Sequence, residues 1–307
     1  MRAWANADQQ VAYRRRDSST AITPNIINVA VDSGIYGTGE LAESREEFFQ
    51  QLEEEWEGLR QELLTSGDLT GQRRSLLSVY TAIQLSRTLK HVDQTSFACN
   101  VAALTEERPI PKSAVRQYLA ELDDGSEPDE AEVDAAWTFV VGSPGIPTPD
   151  EVLKVAMHVA VDKSAPALEA MHWRVETFGK PALMTSDCPV TAWRRTNPGE
   201  PERGVGIGNA DEVRFPLSPT ALLVLTPTPV PASPQSPDRR FVEVNRETCR
   251  QCHQFVVATV QYKARLDNLQ LAPRGPRLRF RSGPLYRRNA YGIDEPMGGD
   301  VIHMYTM

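Results

Sequence analysis

The stretch SLLSVYTAIQLSRTLKH, residues 75–91, combines the clearest helical pattern of the chain with a conflict inside that pattern. At about 100° per residue, Gln84, Arg87 and His91 fall within the same arc as its apolar side chains. Because a buried guanidinium or amide without a partner costs several kcal/mol, this predicted helix requires either a polar network beneath the surface or a pocket lined by these groups. The apolar residues of the pattern are Leu76, Leu77, Tyr80 and Ile83.

The composition predicts a folded protein of one large domain or two ordinary ones. The 307 residues, with 40% hydrophobic content, can form a substantial core. A formal net charge of -8 argues against binding duplex nucleic acid across the whole surface, because phosphate contacts need clustered Lys and Arg. The start is not signal-like and no apolar run reaches roughly 20 residues, so we expect a cytoplasmic protein without a membrane span, and four free cysteines.

Hydrophobic periodicity predicts an α+β fold, in which a helical bundle from the N-terminal half packs on a mostly antiparallel sheet from the C-terminal half. Besides 75–91, helices are expected at 42–64, 112–122, 129–140 and 149–177, and near 245–254. Strand patterns cover 182–185, 190–193, 213–215, 221–225 and 255–260. We expect one domain over residues 1–272 and an arginine-rich tail over 273–307, where little core-forming pattern is present.

Several short motifs occur in an order that matches a known family. They are N-V-A-V at 28–31 running to Tyr36, an acidic amphipathic helix, Q-L-S-R-T at 84–88, T-S-D-C-P-V at 185–190, F-P-L-S-P at 215–219, and Asn245-Arg246. Over about residues 2–260, this set resembles the bacterial domain-of-unknown-function family 4238. Since that family has no established activity, the resemblance implies a fold and candidate positions without a reaction.

The chain departs from the family pattern at two places. Members usually open with His-x-x-Pro-x-x-Tyr-Leu-x-x-Phe, of which only the end matches here, at 2–5. The His and Pro are missing, so any role of that His falls on no residue of this sequence. The usual Asn of the Ser-Asp-Asn-Pro-Val motif is replaced by Cys188.

We place the candidate site where the predicted helix 75–91 meets the turn at Ser186 and Asp187. The turn follows an apolar strand, a position where scaffolds often display functional side chains. There Asp187 would act as a base or orient an imidazole, and Arg87 would clamp an anion such as a carboxylate or phosphate. We also expect Arg87 to pair with Asp187. The other candidates, for substrate binding, are Gln84, Asn28, Tyr36, Asn245, Glu53 and His91.

The same positions also allow structural interpretations. The Ser-Asp pair can simply cap a β-turn before Pro189. The polar residues of helix 75–91 can form a satisfied buried network, since buried polar groups usually have partners. Glu53, like its neighbour Glu55, lies on a strongly acidic helix, where charged residues are typical of a solvated face.

Two further motifs suggest ligands without establishing them. C-R-Q-C-H at 249–253 has the spacing of haem attachment and of half a zinc site, but the chain shows no export signal and no second ligand pair. We therefore interpret its two thiols as small core residues. G-V-G-I-G at 204–208 lies between strands and opens no helix, which favours a hairpin tip over a phosphate loop. The sequence identifies neither a metal site nor a cofactor.

These observations support two functional hypotheses. The first is a hydrolase or transferase that acts on an anionic or nucleotide-like substrate in a polar cleft, with Asp187, Arg87 and Ser186 as catalytic residues. The second is a non-catalytic binding module that contacts nucleic acid through the segment 274–288, where arginines alternate with aromatic residues able to stack on bases. The acidic net charge disfavours the second hypothesis.

Overall fold

Helices dominate the first half of the chain and antiparallel sheets the second, so the predicted α+β class is confirmed. The structure is a computed structural model that describes residues 1–29, 40–93, 95, 112–122, 127–141, 148–195, 205–229, 237–269, 271, 278–288 and 294–306. The helices are α1 (Glu40–Ser66), α2 (Gly71–Ser86), α3 (Lys112–Leu122), α4 (Glu130–Val141), α5 (Pro149–Val159), α6 (Ala165–Ala170), α7 (Pro237–Gln251) and α8 (Lys263–Asp267). The strands are β1 (Ala12–Arg15), β2 (His172–Thr177), β3 (Thr185–Ser186), β4 (Thr191–Trp193), β5 (Glu212–Ser218), β6 (Ala221–Thr226), β7 (Phe255–Ala258), β8 (Leu278–Arg288) and β9 (Asp294–Thr306).

The larger sheet, with strand order β2-β6-β5-β4, is covered by helices on both faces. Its strand β6 is buried along its whole length, and successive side chains face opposite sides of the sheet. Leu223 and Leu225 pack in a cluster with residues of α1, α2 and α6. Leu222 and Val224 pack on the other face, with residues of α7. A smaller sheet has the order β1-β7-β3.

An aromatic stack holds α1 and α2 on the larger sheet. The Trp56 ring of α1 lies 4.5 Å, centroid to centroid, from Tyr80 of α2, and 5.1 Å from Phe215 of β5. Such aromatic pairs contribute about 0.5–1.5 kcal/mol each beyond the area they bury. Leu59 and Leu63 are fully buried beside the stack. The apolar stripe predicted for helix 42–64 therefore faces the core.

The helix α2 ends at Ser86, so the prediction of one helix through His91 is wrong. Arg87 closes α2 as its C-cap, with φ -80 and ψ 3, and a second helical stretch follows. Thr88 starts that stretch, because its hydroxyl accepts a hydrogen bond from the His91 backbone N–H at 3.2 Å, as N-cap residues do. Arg87 and His91 therefore do not share one face of a continuous helix.

The predicted helix 149–177 is two helices and a strand. α5 and α6 are joined by a π-helical turn, Ala160–Ser164, and the helical path ends at Ala170. The prediction is wrong for the following segment, which forms β2 and pairs with β6. Periodicity alone does not distinguish helix from strand in a short apolar run. Here the segment is a strand because its backbone pairs with β6. Of the strand predicted at 182–185, only Thr185 lies in a strand, β3, which continues to Ser186.

A helix and a hairpin follow β7 at the C-terminal end. Leu266 of α8 is fully buried, and the Arg14 guanidinium donates hydrogen bonds to the carbonyls of Leu266 and, at 2.6 Å, Leu269. The core therefore extends to this helix. β8 and β9 form a two-stranded antiparallel sheet of their own, in the segment where we expected a tail. Neither strand was predicted.

A network of six charged side chains joins α7 to the larger sheet. Arg214 is fully buried and donates hydrogen bonds to Glu212 at 2.6 Å and to Glu243 at 2.6 Å. Arg240 donates to Glu176 at 2.8 Å and to Glu212 at 2.8 Å. The members, which we call the charge network, are Arg174 and Glu176 of β2, Glu212 and Arg214 of β5, and Arg240 and Glu243 of α7.

The charge network keeps Glu212 and Arg240 ionised. Burial alone would raise the pKa of Glu212, but Arg214 and Arg240 outweigh burial, and the pKa lies below its usual value. Burial likewise disfavours the charged form of Arg240, yet hydrogen bonds to Glu176 and the field of Glu212 raise its pKa. Three positive and three negative side chains thus balance each other beneath α7.

We expect Glu212→Gln to lower the free energy of unfolding at pH 7 by about 3 kcal/mol, because it leaves two buried guanidinium groups short of a counter-charge. Since the folded pKa of Glu212 lies below its unfolded value, its stabilisation is present above the unfolded pKa and lost as the pH falls through the folded one. Urea unfolding should therefore show the wild-type advantage at pH 7 and its decline below about pH 4.5.

The matched control is Glu62→Gln on α1, which removes a surface pair with Arg73 in which both side chains are exposed. This change should cost at most about 1 kcal/mol at either pH. Equal losses for Glu62→Gln and Glu212→Gln would contradict a stabilising role of the buried charges.

We expect a chain that stops after residue 272 to melt within about 3 °C of the full chain, because the hairpin that it lacks is a separate sheet. A chain that stops after residue 261 lacks α8 and leaves Nη1 of Arg14 without the carbonyls of Leu266 and Leu269, while Nε keeps the Ser18 carbonyl. That shorter chain should lose at least about 3 kcal/mol or fail to fold. Calorimetry of both truncations distinguishes them, and identical melting would refute this boundary.

Candidate functional site

Arg87 contacts α1 and not the Ser-Asp turn. Its guanidinium donates a hydrogen bond to the Glu53 carboxylate at 3.0 Å and lies 5.0 Å from the centroid of the Phe49 ring. Arg87 thereby ties the end of α2 to α1. The expected pair between Arg87 and Asp187 is wrong, because each side chain has other partners.

Asp187 binds the backbone that connects α7 to β7. Its carboxylate oxygens accept hydrogen bonds from the backbone N–H groups of His253, at 3.0 Å, and Gln254, at 2.6 Å. Burial raises the pKa of Asp187, and these two backbone hydrogen bonds oppose the rise. The Ser186 hydroxyl accepts a hydrogen bond from the Cys188 N–H at 3.1 Å within the same turn. Both side chains therefore cap backbone groups, which favours the structural interpretation of the turn.

The two buried amides of the predicted set are satisfied. Asn245 of α7 accepts a hydrogen bond from the Met184 N–H at 2.9 Å and donates to the Ala182 carbonyl at 2.8 Å, so it fastens α7 to the segment before β3. Gln84 of α2 forms a side-chain hydrogen bond with Tyr80, whose pKa is raised by burial to about 12. Each amide thus has a partner in the core, as is usual for buried polar groups.

The remaining predicted residues lie apart from one another. Asn28 is exposed in a 3-10 turn near the N-terminus. His91 is half-buried, and burial lowers its pKa. Glu53 is exposed on α1, and Tyr36 lies outside the described residues. The structure therefore divides the predicted site between the α1–α2 side and the α7 side.

Other polar side chains meet where the helical stretch after α2, the Ser-Asp turn and the C-terminal end of α7 come together. The Lys90 ammonium donates a hydrogen bond to the side-chain oxygen of Gln251. Nε2 of His253 lies 3.0 Å from Oδ2 of Asp93. We call this cluster the polar junction, and its members are Lys90, Asp93, Asp187, Cys188, Gln251, Cys252 and His253.

Lys90 is the electrostatically perturbed cation of the polar junction. Burial lowers its pKa, whereas the carboxylate of Glu247 opposes that fall, and the nearby Arg16 guanidinium adds to it. The partner of the ammonium, Gln251, is neutral and does not compensate its charge. Amines with a depressed pKa are typical of sites that bind anions or transfer protons.

The thiols of the polar junction are buried and protonated. Cys188 and Cys252 are 4% and 3% exposed. Burial raises the pKa of Cys252 to about 11 and that of Cys249 to about 12. Because the thiolate is the reactive form, these cysteines are poor nucleophiles at neutral pH. The interpretation of Cys249 and Cys252 as small core residues is confirmed, because both lie in a buried apolar cluster. The described residues contain no group of three or more His, Cys, Asp and Glu arranged to hold a metal.

Sequence reasoning missed both the polar junction and the charge network. Arg174 and Glu176 stand two residues apart on β2, as Glu212 and Arg214 do on β5, so each pair shares one face of its strand. Oppositely charged residues two positions apart in a predicted strand could therefore have indicated a buried ion pair. Lys90 gave no such signal, because its partners come from distant parts of the chain.

Comparison with known protein families identifies a match over most of the chain. A family model described as a protein of unknown function (DUF4238) matches residues 1–261. The chain belongs to this family. The motif-based resemblance to DUF4238 is thus confirmed, and α8 and the hairpin lie beyond the matched part. No curated protein and no solved structure matches the chain. Within the described part of this DUF4238 chain, every helix is too short or too polar to cross a membrane.

We expect Asp187→Asn to lower the free energy of unfolding by about 1–3 kcal/mol, because an amide offers one acceptor oxygen where two backbone N–H groups need one each. Urea unfolding at pH 7 measures this loss. The control is Asp162→Asn, an exposed side chain on the π-turn, which should cost less than about 1 kcal/mol. An unchanged stability of Asp187→Asn would contradict the capping role.

Proposed function

We propose that this DUF4238 protein is a hydrolase or transferase that acts on an anionic small molecule at the polar junction. The proposal depends on the half-buried Lys90 ammonium, whose hydrogen-bond partner among the described residues is the neutral Gln251. A desolvated ammonium that has no bonded carboxylate is costly to keep charged. A carboxylate or phosphate group of a substrate would remove that cost, and this favours an anionic substrate.

His253 and Asp93 supply the acid–base chemistry in this proposal. A carboxylate that holds one imidazole nitrogen orients the ring for proton transfer at the reacting group. In a hydrolysis, His253 would take a proton from the attacking water and return it to the leaving group as the bond between that group and the substrate breaks. Lys90 would stabilise the negative charge that develops on the substrate oxygen. Asp187 is then a positioning residue, because it holds the backbone N–H of His253.

Arg87 has no chemical part in this proposal. Its guanidinium already binds the Glu53 carboxylate, which compensates its charge. The anion clamp that the sequence suggested at Arg87 is therefore assigned to Lys90, three residues later, beyond the end of α2. The hypothesis of a nucleic-acid-binding segment at 274–288 stays a prediction.

The test combines ligand binding with turnover. Wild-type protein is melted with inorganic phosphate, AMP and citrate, and assayed for release of p-nitrophenol from p-nitrophenyl phosphate and p-nitrophenyl acetate. We expect at least one anion to raise the melting temperature, because a ligand at 100 times its Kd adds about 2.7 kcal/mol. Lys90→Gln should remove that shift and lower kcat/KM at least tenfold. His253→Gln should keep the shift and lower kcat by about a hundredfold.

The matched control is Lys154→Gln, which removes an exposed amine on α5 and should retain both the shift and the turnover. The melting temperature of each variant without ligand shows whether it is folded. If no anion stabilises the wild type, or if Lys90→Gln is stabilised to the same extent, the proposal is wrong.

A further inference from the structure

A second concave site lies away from the polar junction, between the π-turn and the loop before β5. It is an open depression with a volume of about 470 Å³, within the range of about 300–1,000 Å³ that is usual for small-molecule pockets. One wall is formed by the π-turn and α6, and the other by the loop at 207–208 and the residue after β6. The lining residues are Lys163, Ser164, Ala167, Ala170, Met171, Ile207, Gly208 and Pro227.

The two polar side chains that line this pocket are consecutive in the sequence. Lys163 and Ser164 are neighbours on the π-turn, whereas the other lining side chains are apolar or absent. A π-turn within a helix is uncommon, and such turns occur frequently at functional sites. The lining thus combines one ammonium and one hydroxyl with mostly apolar side chains.

Asp162 and Glu169, which adjoin the lining residues Lys163 and Ala170 in the sequence, are engaged with other partners. Asp162 lies 3.1 Å from Nε2 of His158, and Glu169 accepts a hydrogen bond from Ser75 at 2.6 Å. Among the described residues, no carboxylate is within ion-pair distance of the exposed Lys163 ammonium. Its charge is therefore available to a ligand.

We infer that this pocket binds an amphipathic anion, in which a carboxylate or phosphate group meets Lys163 and Ser164 and a short apolar chain covers Ala170, Met171 and Ile207. Charge complementarity selects the head group, and the apolar lining residues select the chain. The inference is independent of the function proposed at the polar junction, because the two sites share no residue.

Gly208 offers a way to fill the pocket without disturbing the fold. A Cβ atom at Gly208 would meet no atom within 4 Å, and its φ is not in the left-handed region. The same holds for Gly206, two residues earlier, which does not line the cavity. The pair thus provides a blocking variant and a matched control on one loop.

The test is a ligand-observed NMR titration of the full chain with octanoate and with 1-octanol, which has the same chain and no charge. We expect octanoate to bind the wild type more tightly than 1-octanol. Lys163→Gln should weaken octanoate about fivefold and leave 1-octanol unchanged, as expected for one partly exposed ion pair. Gly208→Leu should abolish binding of both ligands, and Gly206→Leu should abolish neither.

Three results would overturn the inference. They are an absence of octanoate binding to the wild type, equal octanoate affinity in Gly208→Leu and wild type, and an equal loss of octanoate and 1-octanol affinity in Lys163→Gln. Circular dichroism of each variant verifies folding, and Gly208→Ala replaces Gly208→Leu if the larger side chain prevents folding.

Discussion

The buried guanidinium of Arg214 is the constraint on which the arrangement of the C-terminal half depends. A fully buried cation must have acidic partners, and here one partner, Glu212, comes from its own strand and the other, Glu243, from α7. This requirement sets α7 over the larger sheet at one register. It also explains why the strongly charged helix α7 packs against a sheet, since its charged side chains form ion pairs with charged side chains of the strands.

The position of α7 then determines the polar junction. The charge network holds α7 in place, and Asn245 of this helix hydrogen-bonds the segment before β3. Just beyond the end of α7, the backbone N–H of His253 donates a hydrogen bond to Asp187. The break at Thr88 is equally necessary, because a continuous helix would carry Lys90 along the axis of α2 instead of toward Gln251. The geometry of the polar junction thus depends on the charge network that holds α7 in place.

Local patterns predicted most helices, because amphipathic stripes such as that of α1 record burial at a period that only a helix matches. They failed at β2, where pairing with β6 outweighs an ambiguous local preference, and at β8 and β9, where the residues pair with each other without a core-forming pattern. The motifs of DUF4238 predicted membership but not geometry. Ser186, Asp187 and Asn245 are positions of that pattern, and all three hold backbone groups in place.

The α+β class, the family and the need of Arg87 and its polar neighbours for partners could be predicted from the amino-acid sequence, since helical period, strand alternation and the cost of burying charge are local or composition-based properties. The identity of those partners became known from the fold alone. Arg87 donates a hydrogen bond to Glu53, Asp187 accepts hydrogen bonds from two backbone N–H groups, and Lys90 donates to Gln251. The physical reason is that electrostatic pairing depends on distances between residues far apart in the chain, and those distances exist only after the hydrophobic core has set the packing of helices on sheets.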